Sequence, residues 1–452
     1  MNATLPTTAD DSLARLERLE SLSQRLLARA KAAGATQAEV SCSEETGLNV
    51  NVRLGDVETV ESTRDRGIGV TVYFGQRKGS ASTADLREES LEATVEQACA
   101  IARFTEDDEA AGLADAALMA REFPDLDVWH PWALDMDQAV DQALACEAAG
   151  RDLDARIANS DGASVGSGES LSVYANSHGF VGRERETQHT IGCALIAGQG
   201  DAMQRDGWYS TALSHLALEA PDVIGRKAAE RTLARLQPRS LATGQHQVLF
   251  SAEVARSLVG HLLGAISGGA LYRRASFLLD HVGQRIFPDW FAIEELPLLP
   301  RGLRSAAFDA EGVATKRSHI IRDGVLERYL LGSYSARKLG LQTTANAGGV
   351  HNLQVKANAG GFDELLAGMG TGLLVTELMG QGVNGVTGDY SRGAAGFWVE
   401  DGAIAYPVDG VTVAGNLKDV FARIEAVGTD VDRRSHVAIG SVLIGRMTVA
   451  GE

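Results

Sequence analysis

The sequence predicts an α+β fold in two parts. Residues 1–237 read as an N-terminal α+β domain of antiparallel meanders and helices, and residues 245–452 as a C-terminal strand-rich, barrel-like domain. Three observations predict this. Short runs with apolar and polar alternation recur along the chain, separated by turns containing Gly and Asp, as antiparallel hairpins require. In the first half, each group of such runs closes on a segment of helical period. Between the halves, Pro238 to Gly244 is a polar break that follows a helix and precedes the strand HQVLFS.

The first helix spans Ser12 to Ala33, with Leu13, Leu16, Leu19, Leu22 and Leu26 at three- and four-residue spacing. GLNVNVR, a turn at Leu54-Gly55-Asp56, VETVEST and GIGVTVYFG read as successive short strands. A helix from Glu89 to Phe104 follows, with Leu91, Val95, Ala98 and Ile101 on one face. SLSVYANSHGFVGRERE reads as strand, turn at Asn176 to Gly179, and strand; HTIGCALIAG and a polar strand come next, then a helix from Val223 to Leu236. The two meanders align at Gly75-Gln76 and Gly198-Gln199, which marks a candidate internal duplication. After the break come a helix from Ala252 to Ile266 and mainly strands: GLRSAAFDAEGVAT, SHIIRDGVLERYLLGS, GTGLLVTELMG, AAGFWVEDGAIAYPV and SHVAIGSVLIGRMTVAG. Asp323-Gly324 and Asp401-Gly402 punctuate hairpins, and short helices at Phe362 to Ala367 and Leu417 to Ala426 interrupt the strands.

A chain of 452 residues is long enough for two or three domains with sizeable cores. Its 44% hydrophobic and 23% charged content is ordinary for a soluble globular protein. The net charge of −18 disfavours phosphate backbones, and basic residues cluster no further than pairs such as Arg273-Arg274 and Arg433-Arg434. Nucleic acid is therefore not an expected partner. The start, MNATLPTTADDS, lacks the basic and apolar segments of a signal peptide. The longest uncharged run, Ser257 to Tyr272, is short for a membrane span and carries several glycines. Cys42, Cys99, Cys146 and Cys193 are widely spaced with no CxxC pair, which fits reduced structural thiols. The expectation is a cytoplasmic protein with no membrane partner.

The densest signal is GQGVNGVTGDYSRGAAGFW, from Gly380 to Trp398. Glycine at this density marks tight turns or close backbone approach. Glu377, Asn384, Asp389, Tyr390 and Arg392 then have two readings. They satisfy buried backbone and turns, or they line a peptide channel or face a partner, where a sheet edge accepts an extended peptide. Together with GLLVTELMG before it, VEDGAIAYPVDGVTVAGNL after it, and ARKLGLQTTANAGG at Ala336 to Gly349, this stretch resembles the TldD/PmbA family, in its PmbA (TldE) branch. The resemblance extends from the GIGVTVYFG strand to the C-terminus. It implies an association with a bacterial zinc peptidase built from two related chains.

Two other motifs lack their structural context. Gly380, Gly382 and Gly385 spell GxGxxG, but no helical period follows to receive a pyrophosphate. Gly162 to Gly166 spells GxSxG, but the sequence after Ser164 reads as turn then strand, and that serine is expected in an ordinary loop.

The catalytic branch that the resemblance implies carries HExxxH on the helix corresponding to Ser251 to Tyr272. Its two histidines bind zinc and its glutamate polarises water. Alignment on the flanking glycines places Leu258 and Val259 at the His-Glu positions and Leu263 at the second His. His261 has no second histidine on this helix, and Glu253 lies eight residues back, about 12 Å along it. His261 therefore reads as a helix-face or interface histidine. The catalytic branch also uses a cysteine near its C-terminus, whereas no cysteine follows Cys193 here. No catalytic residue and no metal ligand is assigned.

The expectation is a PmbA/TldE-like non-catalytic subunit that binds no cofactor itself. It would pair with a TldD-like, HExxxH-bearing subunit that holds the zinc, and enclose extended peptide or unfolded protein substrates. In isolation it would form a homodimer. Two alternatives stand beside it: an independent metallopeptidase or hydrolase with other ligands, and a binding or regulatory protein of the gyrase-modulator type.

Overall fold

Leu16, Leu19, Leu22 and Leu26 bury the inner stripe of helix α1 (Ala9–Ala32). Leu13 lies at the flank of that stripe and is exposed. The structure, a computed structural model, describes residues 9–451; the expected absence of a targeting segment falls partly on residues 1–8, outside the described residues. After α1, strand β1 (Gln37–Arg53) turns at Leu54-Gly55 into β2 (Asp56–Phe74). VETVEST and GIGVTVYFG are one strand, because every residue of β2 from Asp56 to Tyr73 stays in or beside the ladder with β1. β3 (Arg77–Thr83) and helix α2 (Glu88–Phe104) complete the unit. Leu91, Val95 and Ala98 are buried as expected, while Ile101 is exposed and Cys99 and Ala102 share the inner face instead.

Helix α3 (Met136–Arg151) has no counterpart among the expected elements. Its inner face is Ala139, Ala143 and Cys146, too small to stand out as an apolar stripe, and its start is fixed by a capping box between Asp135 and Gln138. Then come β4 (Asn159–Asn176), β5 (Val181–Ala197), β6 (Gln204–Ala212) and α4 (Pro221–Ala234). GRERE and HTIGCALIAG are both part of β5. Ser164 of the GxSxG run lies inside β4, between Asn51 and Gly192, rather than in a loop. α3 and α4 cross closely: a Cβ on Gly225 would stand 2.0 Å from the Cys146 carbonyl oxygen.

These six strands form one sheet in the order β3-β2-β1-β4-β5-β6. Two helix–three strands–helix units meet at the β1–β4 ladder, and Gly75-Gln76 and Gly198-Gln199 sit at the same hairpin of each. The alternation of β1 and β4 sends Val40, Cys42, Val50, Val52, Val165 and Val173 beneath the four helices, in two adjoining cores. The opposite face carries Ser41, Ser43, Ser170, Ser172 and Tyr174.

The second half opens with β7 (Gly244–Phe250), α5 (Ala252–Ala265) and the short α6 (Gly268–Tyr272). Short strands β8 (Ile293–Glu295), β9 (Ser318–Arg322) and β10 (Val325–Leu326), helix α7 (Ser333–Leu339) and β11 (Leu353–Val355) follow. The chain ends with α8 (Phe362–Met369), β12 (Gly372–Met379), β13 (Asp389–Glu400), β14 (Ala403–Asn416), α9 (Leu417–Ala422), β15 (Ile424–Val427), β16 (Val437–Ala438) and β17 (Val442–Ala450). Strands β14-β13-β12-β7-β17 are joined in that order, and β14 pairs back to β17 through Thr412–Ala450 and Val413–Val449, closing a five-stranded barrel. Val248, Phe250, Leu373, Val375, Val411, Val413, Ile444 and Val449 belong to the large core of this half. A second sheet, β10-β9-β8-β11-β16, flanks it.

Three expected elements differ. GLRSAAFDAEGVAT is a loop rather than a strand: the Asp309 carboxylate accepts the backbone N–H groups of Glu311, Val313 and Ala347, drawing the chain away from a ladder. SHIIRDGVLERYLLGS forms only the short β9–β10 hairpin and then leads to α7. The helix begun at Leu417 stops at Ala422, and Ile424–Val427 pairs with β17.

Candidate functional site

Because the helices cover only one face of the N-terminal sheet, its other face is free to form the floor of a cleft. Ser41 and Ser43 of β1, Ser170, Ser172 and Tyr174 of β4, and Glu184, Glu186 and Gln188 of β5 lie along it. Helix α5, through Arg256, and loops of the barrel half, through Arg304, His351, Arg434 and His436, form the roof. The cleft encloses about 940 Å³. A second cavity of about 620 Å³ lies against α5, α6 and α7, and the two share Arg304, Ala347, Gly348, Gly349, Val350 and His436. Together they are large enough for several residues of an extended peptide.

The shared wall is held by a buried network. Glu295, 2% exposed, accepts the His351 backbone N–H at 2.8 Å and contacts the His351 Nδ1 at 2.9 Å. It also accepts Asn346 Nδ2 at 3.0 Å and pairs with the Arg328 guanidinium. Arg328 Nη1 in turn donates to Asn346 Oδ1 at 2.7 Å. Burial pushes the Glu295 carboxyl up, but the hydrogen bond from His351 and the charge of Arg328 outweigh it and hold the group below its ordinary range. The run ANAGG is thus pinned at the junction of the two cavities. His436, beside it, is pushed down by burial and then by Arg304 and Arg256, so its imidazole is neutral at neutral pH.

Helix α5 points Leu258 and Val259 into the barrel-half core, against Phe287, Phe291, Ile293 and Phe421. Leu263 is half-buried and lines the smaller cavity. None of the three can donate to a metal. Among the described residues, no group of three or more His, Cys, Asp and Glu side chains is placed to hold a metal ion. The four cysteines are buried and unpaired with each other by disulfides, and burial pushes the Cys42 thiol up to about 12, away from the thiolate form a metal takes. The residues present do not fit a catalytic zinc at this helix.

The polar signature sits apart from the cleft. Asn384 Oδ1 accepts the Val386 N–H at 2.9 Å, and Asp389 accepts Thr387 Oγ1 at 2.6 Å and Asn416 Nδ2 at 3.2 Å, so both shape the exposed turn before β13. Glu377 pairs with Arg235 at 2.5 Å, tying β12 to the end of α4. Tyr390 is 2% exposed and lies edge-on to His261 at 5.7 Å, and Arg392 Nη2 reaches the Leu378 carbonyl at 3.5 Å. Tyr390 Oη, His261 Nε2, Arg392 Nε and Thr376 Oγ1 are all buried without a protein hydrogen-bond partner. None of the five signature residues lines either cavity. The cleft residues Glu184, Glu186, Arg256, Arg304, His351 and His436 were not singled out by sequence; they come from separate segments, and only the quoted ANAGG run pointed towards them.

A duplicated sheet facing a closed barrel across a peptide-sized cleft defines the class, and it is one with solved members. A structure from Bacteroides thetaiotaomicron, described as a candidate modulator of DNA gyrase, superposes with a TM-score of 0.91 at 28% identity, covering 98% of this chain and 100% of that one. TldE from Thermococcus kodakarensis shares the fold, with a TM-score of 0.83 at 19% identity and coverage of 95% and 100%. The descriptions of PmbA/TldA metallopeptidase domain 1, central domain and C-terminal domain match residues 38–102, 129–236 and 243–451. The metalloprotease PmbA of Escherichia coli O157:H7 is 48% identical over 415 residues, 92% of each chain. A PmbA homolog from Haemophilus influenzae is 46% identical over 420 residues, 93% of each. The chain belongs to the PmbA/TldD metallopeptidase family. Among the described residues, no helix is long and apolar enough to cross a membrane.

Proposed function

We propose that this chain is the TldE-like, non-catalytic subunit of a two-chain zinc peptidase, working in the cytoplasm on extended peptides or unfolded protein. One observation supports the reading: Leu258, Val259 and Leu263, which the resemblance aligns with the ligands and general base of the catalytic branch, are apolar, and the first two are core residues. In this reading zinc and the water-polarising glutamate belong to a TldD-like partner. This chain contributes enclosure and register. The serine-lined floor strands face the substrate, and the pinned ANAGG wall narrows the path between the two cavities. The exposed turn at Asn384 and Asp389, with Glu377, Tyr390 and Arg392 behind it, is assigned to the partner interface rather than the channel, since it lies away from the cleft.

The test is zinc per chain, measured by elemental analysis of the purified chain alone after exposure to zinc and removal of the excess. A value near zero supports the subunit reading. A value near one per chain overturns it in favour of an independent metallopeptidase, as the name of its curated relatives would then apply to this chain in full.

A further inference from the structure

We propose that His261 of α5, with Tyr390 and Arg392 of β13, forms a binding site for a single carboxylate. Three buried polar atoms meet there without a protein hydrogen-bond partner: His261 Nε2, Tyr390 Oη and Arg392 Nε. Tyr390 and Arg392 stand two apart on one strand and so share a face. The Tyr390 and His261 rings lie edge to face with centroids 5.7 Å apart, and the charge of Arg392 bears on both. Tyr390 is 2% exposed, a depth at which a phenol hydroxyl ordinarily has a partner.

The three groups suit an anion of one charge. Burial and then Arg392 push the His261 imidazole down, so at neutral pH it is neutral and offers one N–H. Burial pushes the Tyr390 phenol up to about 12, which keeps its O–H as a donor. Arg392 brings the positive charge. Among the described residues its guanidinium enters no ion pair, and its Nη2 makes only the long 3.5 Å contact with the Leu378 carbonyl. A carboxylate has two oxygens that can accept all three donors, and its charge matches one guanidinium. A phosphate dianion would keep a charge unmatched, and a water molecule would leave that of Arg392 unanswered.

The outer face of α5 gives such a group a way in. At about 100° per residue, Arg256 and Leu263 form the stripe that borders the two cavities, Gly260 and Gly264 come next round the helix, and His261 follows. Both glycines are exposed, and neither has anything within 4 Å of an added Cβ. An extended peptide leaving the smaller cavity can lie against this bare strip of helix and bring its C-terminal carboxylate to His261. That source of the carboxylate rests on the peptide-handling reading above; an acidic side chain of the catalytic partner presents the same chemistry.

The test is fluorescence anisotropy of an N-terminally labelled alanine–serine peptide with the purified full chain alone, the peptide ending either in a free carboxylate or in an amide. The free acid is expected to bind about tenfold or more tighter. Arg392→Gln is expected to abolish that preference and Tyr390→Phe to reduce it about fivefold. Tyr390→Phe is also expected to keep the urea unfolding midpoint, because the hydroxyl it removes is held by no protein group. A lowered midpoint with the preference unchanged makes Tyr390 structural and overturns its place in the site. A second arm measures affinity for an HExxxH-bearing partner chain without peptide. Equal binding of acid and amide, with partner affinity weakened about tenfold in both variants, assigns the carboxylate to the partner. Equal or absent binding of both peptides, with partner affinity unchanged, overturns the site and leaves a buried water only. A chain that takes up zinc yet prefers the free acid overturns the subunit reading and leaves the carboxylate site standing.

Discussion

Glu184 stands on the cleft floor, one face-neighbour from Glu186 and within electrostatic reach of His351. Its carboxylate accepts the Ser172 Oγ–H at 3.5 Å and is open to the cleft, with protein on most other sides. That enclosure, and then the like charge of Glu186, push its carboxyl from 4.5 up to about 7. The folded protein therefore holds this proton more tightly than the unfolded chain. The contribution favours folding at acid pH and is lost as the pH rises between about 4.5 and about 7. Glu184→Gln is expected to flatten that part of the stability profile and to raise stability at pH 8, as read by urea unfolding at a series of pH values; an unchanged profile would place Glu184 in ordinary solvent. Cleft water screens the group, so the effect is modest. Nothing in the sequence around Glu184 marks it: RERE reads as a solvated strand, and the enclosure comes from a roof more than a hundred residues further along.

At the scale of elements, glycine on β13 and glycine on α5 have opposite roles. Gly396 sits at a bulge, and a Cβ there would lie 1.9 Å from the Leu374 carbonyl oxygen, backbone against backbone. Gly396→Ala is expected to cost about 3 kcal/mol or more in denaturant unfolding. Gly260 on α5 has nothing within 4 Å of its added Cβ, so Gly260→Ala is expected to stabilise by about 0.5–1 kcal/mol through helix propensity. The same contrast explains what could be read beforehand. α1, α2 and α5 show themselves because large aliphatic residues mark the inner face, and the hairpins at Asp323-Gly324 and Asp401-Gly402 because their turn chemistry is local. α3 escapes because alanine and cysteine fill its inner face. The signature around Gly380 is visible as a cluster, but its residues serve β12, β13 and the turn between them, while the cleft draws on short pieces that only tertiary packing brings together.

For the molecule as a whole, the cleft between the sheet and the barrel half is the place where the two parts act jointly. Arg304 borders both cavities and bears on His436 and Glu186. If the chain positions peptides for a partner, reversing this charge should act on substrate capture rather than on chemistry. Arg304→Glu in the reconstituted two-chain peptidase is expected to raise KM by about tenfold with kcat largely kept. An unchanged KM would take the junction of the cavities off the substrate path.

The central β1–β4 ladder joins the two repeats, and its halves are far apart in the chain. A ribosome finishing β1 must add roughly 120 further residues before β4 is available, about 6–25 s at ordinary elongation rates. Throughout that interval the nascent first repeat carries bare backbone along β1 as well as along the half of β2 that β3 does not reach. Its valines are already shaped for pairing with a strand that does not yet exist. The symmetry that gives the mature sheet its broad, polar floor thus makes the half-made protein a client for whatever shields exposed strands on the ribosome.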